Sequence, residues 1–254
     1  MNDWEKALEK FLDKYKNEDY FLGAILTGSY VTGNNDENSD IDIYIVTKDT
    51  TTWRERGNKL IDGFLIEYFI NPKKKVLSYF ENELKDYNLS TTMIFVNGKI
   101  IYDKDGSIQE LINIAKNNFN LKDIEESKYK MNCYRVWDCF DELESKYKKG
   151  KDIDFSYNIF LQQVIESYFY NKQIPSIPLN KVERILQDDD YRKKYNIIKL
   201  PDKEFIDLLL KCFDEKEYNK KYISAKVLYL YVLKQFNDFN INNFALKSEV
   251  ENSK

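Results

Sequence analysis

Leu26-Thr27-Gly28-Ser29-Tyr30-Val31-Thr32-Gly33, then Asn34 to Ser39, then Asp40-Ile41-Asp42-Ile43-Tyr44-Ile45-Val46 sets a turn and a pair of acids between two short apolar runs. The second run alternates and reads as a strand, so Asp40 and Asp42 leave its same face with their Cα atoms roughly 6–7 Å apart. Ile41, Ile43 and Ile45 then face the core. Neighbouring carboxylates repel unless a cation neutralises them. Two at this spacing can hold one hard cation, or bracket a pair about 3.5–4 Å apart. Gly28-Ser29 falls where the preceding strand ends. Glycine lets backbone approach a ligand, and the Ser29 hydroxyl with nearby N–H groups can hold phosphate oxygens. A phosphate-binding turn beside paired acids is the apparatus of phosphoryl or nucleotidyl transfer. A calcium loop starting at Asp36 is excluded, because it needs glycine at position 41 and glutamate at 47, which are Ile41 and Thr47.

Outward from this stretch, Phe21 to Thr27 reads as a buried strand. Residues 3–17 read as a helix with Trp4, Leu8, Phe11, Leu12 and Tyr15 on one stripe. Residues 30–39 are polar and read as a loop, in which Thr32 and Gly33 supply loop geometry. Asp62-Gly63 between the runs 54–61 and 64–70 predicts a hairpin, because both central turn residues need positive φ. Its second arm is almost wholly apolar and should be a central strand that Pro72 ends. Glu67 is the one charge in that arm and is costly without a partner. On a strand beside Asp40 and Asp42 it would complete a metal site or take a proton; the alternative is an edge-strand acid paired with a lysine. Asp62, the nearest competitor, belongs to the turn. A helix over 75–84 and two short strands, 92–96 and 99–102, follow.

From Ser107 onward helical spacing dominates, in groups such as Leu111, Ile112 and Ala115, or Ile159, Val164, Ile165 and Tyr168, or Val227, Leu228, Tyr231 and Val232. Pro175, Pro178 and Pro201 fall between these groups. The fold expected is α+β: a small mixed β-sheet domain with packed helices over 1–110, then an all-α helical bundle over 111–254, the change falling between 104 and 122.

Composition narrows the chemistry. The chain has no histidine, which removes His-based triads and most zinc hydrolase sites. Its three cysteines include no C-x-x-C pair and read as buried free thiols. A net charge of −4 disfavours a nucleic-acid partner, which wants a basic face, and suits a small cationic one. No apolar run reaches the roughly 18 residues of a membrane span, and residues 1–6 lack the basic start of a signal peptide, so a cytoplasmic protein is expected. The many tyrosines fit a codon bias toward A and T.

The order Gly28-Ser29, a ten-residue gap, Asp40-x-Asp42 on an apolar strand and a later acid on a neighbouring strand resembles the DNA polymerase beta-type nucleotidyltransferase superfamily over residues 22–70. The helical second half is similar to bacterial antibiotic nucleotidyltransferases, such as those that adenylylate aminoglycosides. The resemblance implies that Gly28 and Ser29 contact the nucleotide phosphates. It implies that Asp40, Asp42 and Glu67 bind divalent metal, two Mg2+ ions, and catalyse transfer of AMP or another NMP from ATP or another NTP. In such enzymes a lysine of the helical region touches the triphosphate and an acid there acts as base. Lys181, after Pro178-Leu179-Asn180, suits the first role; Glu166 and Tyr157 are further candidates. Asp188-Asp189-Asp190 reads as a solvated run, or as an attractor for a polyamine-like substrate. The acceptor implied is an aminoglycoside-type antibiotic, making this a resistance enzyme working as monomer or homodimer. A protein acceptor of the toxin–antitoxin kind and a non-catalytic nucleotide-binding module are the alternatives. No second motif in the helical half constrains the acceptor.

Overall fold

The computed structural model describes residues 2–117, 121, 123–236 and 239–247. Two compact units result: Met1–Leu121 together with Lys193–Ile197, and Lys122–Arg192 together with Ile198–Lys254.

The first unit runs α1 (Asp3–Leu12), β1 (Phe21–Thr27), α2 (Ser29–Thr32), β2 (Ile41–Thr47), β3 (Glu55–Ile61), β4 (Phe64–Pro72), α3 (Lys73–Asp86), α4 (Ser90–Asn97), β5 (Lys99–Asp103) and α5 (Ser107–Asn117). Its sheet has the order β3-β4-β2-β1-β5. The β2–β4 pair is parallel and the others antiparallel, so the sheet is mixed as expected. Alternation sends Ala24, Leu26, Ile41, Ile43, Ile45, Ile66 and Ile70 to one face, where Ala7, Leu8, Phe11 and Leu12 of α1 cover them. Ile25, Tyr44 and Val46 point to the other face, against Val76 and Phe80 of α3, Phe95 of α4 and Ile108, Leu111 and Ile112 of α5. A sheet covered on both faces explains why all seven residues of β1 are buried. It also places α5 in the first unit, so position 110 lies inside a helix of that unit.

The hairpin forms as its sequence demands. Asp62 and Gly63 have φ of 49° and 88°, and the two-residue turn fixes the register Ile61↔Phe64 through Asn58↔Glu67 to Arg56↔Phe69. β4 lies inside the sheet, between β3 and β2.

Three elements differ from expectation. The stretch 92–96 is helical, not a strand. The Glu83 carboxylate of α3 accepts hydrogen bonds from the Thr91 and Thr92 amides at 2.5 and 2.9 Å, capping α4, while Thr92 and Phe95 are buried. A side chain eight residues upstream thus overrides local β preference. Glu83→Ala should cost about 1–2 kcal/mol, a fall in melting temperature of a few degrees by calorimetry; an unchanged melting temperature would deny that cap its role. The first helix stops at Leu12, whose carbonyl accepts from both the Tyr15 and Lys16 amides and so closes a turn. Within the expected loop, residues 29–32 form one helical turn ended by Gly33 in the left-handed region, φ 69°.

In the second unit, helices α6 (Glu126–Lys148), α7 (Asp154–Asn171), α8 (Val182–Gln187), α9 (Asp189–Lys194, whose last two residues group with the first unit), α10 (Lys203–Asp214) and α11 (Tyr218–Gln235) follow. Pro175, Pro178 and Pro201 fall between them as expected. Val136 and Phe140, Phe160 and Val164, Phe205 and Leu209, and Ala225 and Leu228 form the core. Ile159 and Val227, counted on the apolar faces from their spacing, are instead exposed. No helix of the described residues is long and apolar enough to cross a membrane.

Candidate active site

Gly28 ends β1 with φ 73°. A Cβ built there would lie 2.0 Å from Asp42 Oδ2, so only glycine lets the turn close over that carboxylate. The register Thr27↔Asp42 on β1 and β2 makes this approach unavoidable. Ser29 opens the turn that follows. The Gly28 carbonyl accepts from the Val31 and Thr32 amides at 3.3 and 3.4 Å, and the Ser29 carbonyl from Asn34 at 3.0 Å. Asp36 is absorbed by the loop: its carboxylate accepts from the Asn38 amide and the Ser39 hydroxyl.

Asp40 precedes β2, Asp42 lies on it, and the parallel register sets Asp42 against Glu67 of β4. One carboxylate oxygen of each acid lies within 4.8 Å of the others, and all three side chains are half-buried. Hard oxygen donors this close suit Mg2+ or Mn2+ better than zinc or copper. The three residues therefore fit a divalent cation. Opposing charge comes from Arg56 of β3, which donates from its terminal NH2 nitrogen and from Nε to Glu67 Oε1 at 2.7 and 3.2 Å. Tyr30, just after Ser29, packs on Trp4 at 5.0 Å. Burial first, then the charges of Asp40 and Asp36, push its phenol above its usual pKa. It therefore stays a hydroxyl.

The candidates of the helical half fare differently. Tyr157 is buried and its hydroxyl donates to the Cys212 carbonyl at 2.8 Å, a structural role. Glu166 is exposed and accepts from Gln162. Lys181 is exposed at the end of a 3-10 turn, Leu179–Lys181, in the second unit. Asp188 accepts from the Tyr191 amide at 2.8 Å as the cap of α9, and Asp189 pairs with Arg192. That run is thus partly structural. Cys133 and Cys212 are buried, whereas Cys139 is only half-buried. Burial pushes the Cys133 thiol up to about 12 and the Cys212 thiol up to about 11, so neither serves as a thiolate nucleophile.

Two features escaped the sequence reading. One is Arg56. The other is the segment 193–197, which groups with the first unit: the Tyr195 hydroxyl lies 3.0 Å from that of Thr32, its carbonyl accepts from Asn97, and Lys194 donates to Asn34. The contacts to Thr32 and Asn34 brace the Gly28–Asn34 turn from residues about 160 positions away, a distance no local pattern spans.

Comparison with known proteins bears on the first part of the chain. The family model described as nucleotidyltransferase domain matches residues 5–102, which include all three acids. Over 104 residues the chain is 32% identical to a Methanocaldococcus jannaschii protein named "Putative protein adenylyltransferase MJ1305", an alignment covering 39% of this chain and 71% of that protein. Among solved structures, a nucleotidyltransferase-like protein from Exiguobacterium sibiricum aligns with a TM-score of 0.49 at 11% identity, covering 91% of this chain and 75% of the other.

Proposed function

We propose that this chain, which belongs to the polymerase beta-type nucleotidyltransferase family, moves an NMP, AMP first among them, from a nucleoside triphosphate to a hydroxyl of its acceptor. The observation that carries the proposal is the convergence of Asp40, Asp42 and Glu67 within 4.8 Å beside Gly28. These acids would hold Mg2+, one ion or two, which when bound neutralises triphosphate charge and sharpens the acceptor oxygen as a nucleophile. Gly28 gives the phosphates room, and the Ser29 hydroxyl at the start of the turn binds them. The acceptor oxygen attacks the α-phosphorus, the bond to pyrophosphate breaks, and the acceptor proton passes to a carboxylate in reach, for which Glu67 is our candidate. Lys181 is proposed as a triphosphate contact on resemblance alone. A non-catalytic role fits poorly with three acids kept in ligand geometry.

For the acceptor we place a protein hydroxyl first, because the archaeal relative carries protein adenylyltransferase in its name. A small cationic acceptor, such as an aminoglycoside in antibiotic resistance, is the second reading, favoured by the net charge of −4, which equally disfavours nucleic acid. The work is placed in the cytoplasm, where NTP and magnesium are plentiful.

The test uses NTPs labelled at the α- or the γ-phosphate, with magnesium, offered neighbouring-gene proteins and a panel of aminoglycosides and lincosamides. Label from the α-position should reach one acceptor while pyrophosphate leaves. Glu67→Gln should cut that rate roughly a hundredfold, as expected for loss of a base or a ligand. Transfer of γ-label would make the chain a kinase and overturn the proposal. Full activity in Glu67→Gln would move the third acid elsewhere.

A further inference from the structure

Arg56 stands on β3, the edge strand, opposite Phe69, while Asn58 stands opposite Glu67. The guanidinium therefore reaches Glu67 along the diagonal of the pair. Both of its contacts, at 2.7 and 3.2 Å, fall on the single oxygen Oε1. Independently, the guanidinium carbon sits 4.8 Å from the centre of the Phe69 ring, a cation–π contact that does not depend on Glu67. The Arg56 side chain is 69% exposed and that of Glu67 21%. The cation is thus held at the rim of the acid cluster by its own anchor, with room to move.

Arg56 takes only Oε1 and leaves Oε2 to a divalent ion, but two cations on one carboxylate repel at such range, so the ion loosens the guanidinium. Resting on the metal reading of the three acids, we propose that Arg56 is a positioning residue and the resident counter-ion of Glu67. It holds Glu67 in place before the divalent ion arrives and is shifted off the carboxylate when it does. Arg56 thereby sets the divalent-ion concentration at which the site loads.

Mn2+ alone, followed as free ion by electron paramagnetic resonance in the absence of nucleotide, tests this without turnover. The proteins are wild type, Arg56→Gln, Arg56→Lys and Asp42→Asn. Arg56→Gln should bind Mn2+ about two- to fivefold more tightly, the range an exposed ion pair is worth. Arg56→Lys, which keeps the charge, should stay near wild type, and added KCl should narrow the gap between them. Asp42→Asn should bind far more weakly. If Arg56→Gln binds no more tightly while Asp42→Asn remains weak, the metal site stands and the role of Arg56 falls. If Asp42→Asn binds like wild type, the metal reading itself fails, and the proposal with it.

Discussion

Asp42→Asn lowers nucleotide transfer about a thousandfold, ~4 kcal/mol in barrier height, and leaves the melting temperature in EDTA unchanged or slightly higher. The two halves of this expectation have one cause. Asp42 is the middle acid of the three: it faces Glu67 across the parallel β2–β4 register, and its carboxylate lies under Gly28. Three acids within 4.8 Å repel one another when no divalent ion is bound, and an isosteric amide removes part of that repulsion while keeping an oxygen acceptor in place. With cation present the balance reverses. Magnesium binds the native state, and at tenfold excess over its dissociation constant it should stabilise wild type by about 1.4 kcal/mol, a few degrees of melting temperature. The variant should lose that increment. A melting temperature that falls in EDTA would mean that Asp42 serves the fold through its charge, against the role assigned here.

Gly28→Ala should be nearly as damaging, for a steric reason. At φ 73° and ψ −151° the backbone lies in a region essentially reserved for glycine, and a side chain there costs about 1–3 kcal/mol in strain. The added Cβ would also meet Asp42 Oδ2 at 2.0 Å and its Cγ at 2.9 Å. Either the turn lifts or the carboxylate swings away, and each outcome spoils the metal cluster. We expect a loss of transfer of a hundredfold or more, with a melting temperature lower by several degrees. Gly33→Ala is the control. Gly33 also has positive φ, 69°, but with ψ 25° it lies in the milder left-handed helical region, and a Cβ there meets nothing within 4 Å. It should therefore lose stability through strain while keeping most of its activity. Equal activity losses in the two variants would show that strain in the turn, and not the collision with Asp42, is what matters.

Much of this site was legible in the sequence because its determinants are local. Asp40 and Asp42 declare themselves by a spacing of two on an apolar strand, and Gly28-Ser29 by its place at a strand end. Asp62-Gly63 fixes a two-residue turn and, with it, the register of the whole hairpin. That register already held Arg56 in it: counting back from the turn pairs Arg56 with Phe69, one diagonal from Glu67. The cation that Glu67 requires is legible in that register, as an arginine and not the lysine of the alternative reading. The helix over 90–97 could not be found so, because its deciding cap is the side chain of Glu83 on a preceding helix. Nor could the contact of Tyr195 with Thr32, which joins positions remote in the chain. In the helical unit, spacing identified the helices well. It overcounted their cores, as exposed Ile159 and Val227 show, since periodicity records apolar residues and not which of them find a neighbour.

Asp40, Asp42 and Glu67 are proposed to form a metal-dependent nucleotidyl-transfer site. The most direct measurement is pyrophosphate release from each NTP in magnesium, in the presence of acceptor, for wild type and Asp42→Asn side by side. We expect release from wild type that stops on adding EDTA, returns with magnesium, and is absent from the variant. Equal release by the two proteins would contradict the assignment.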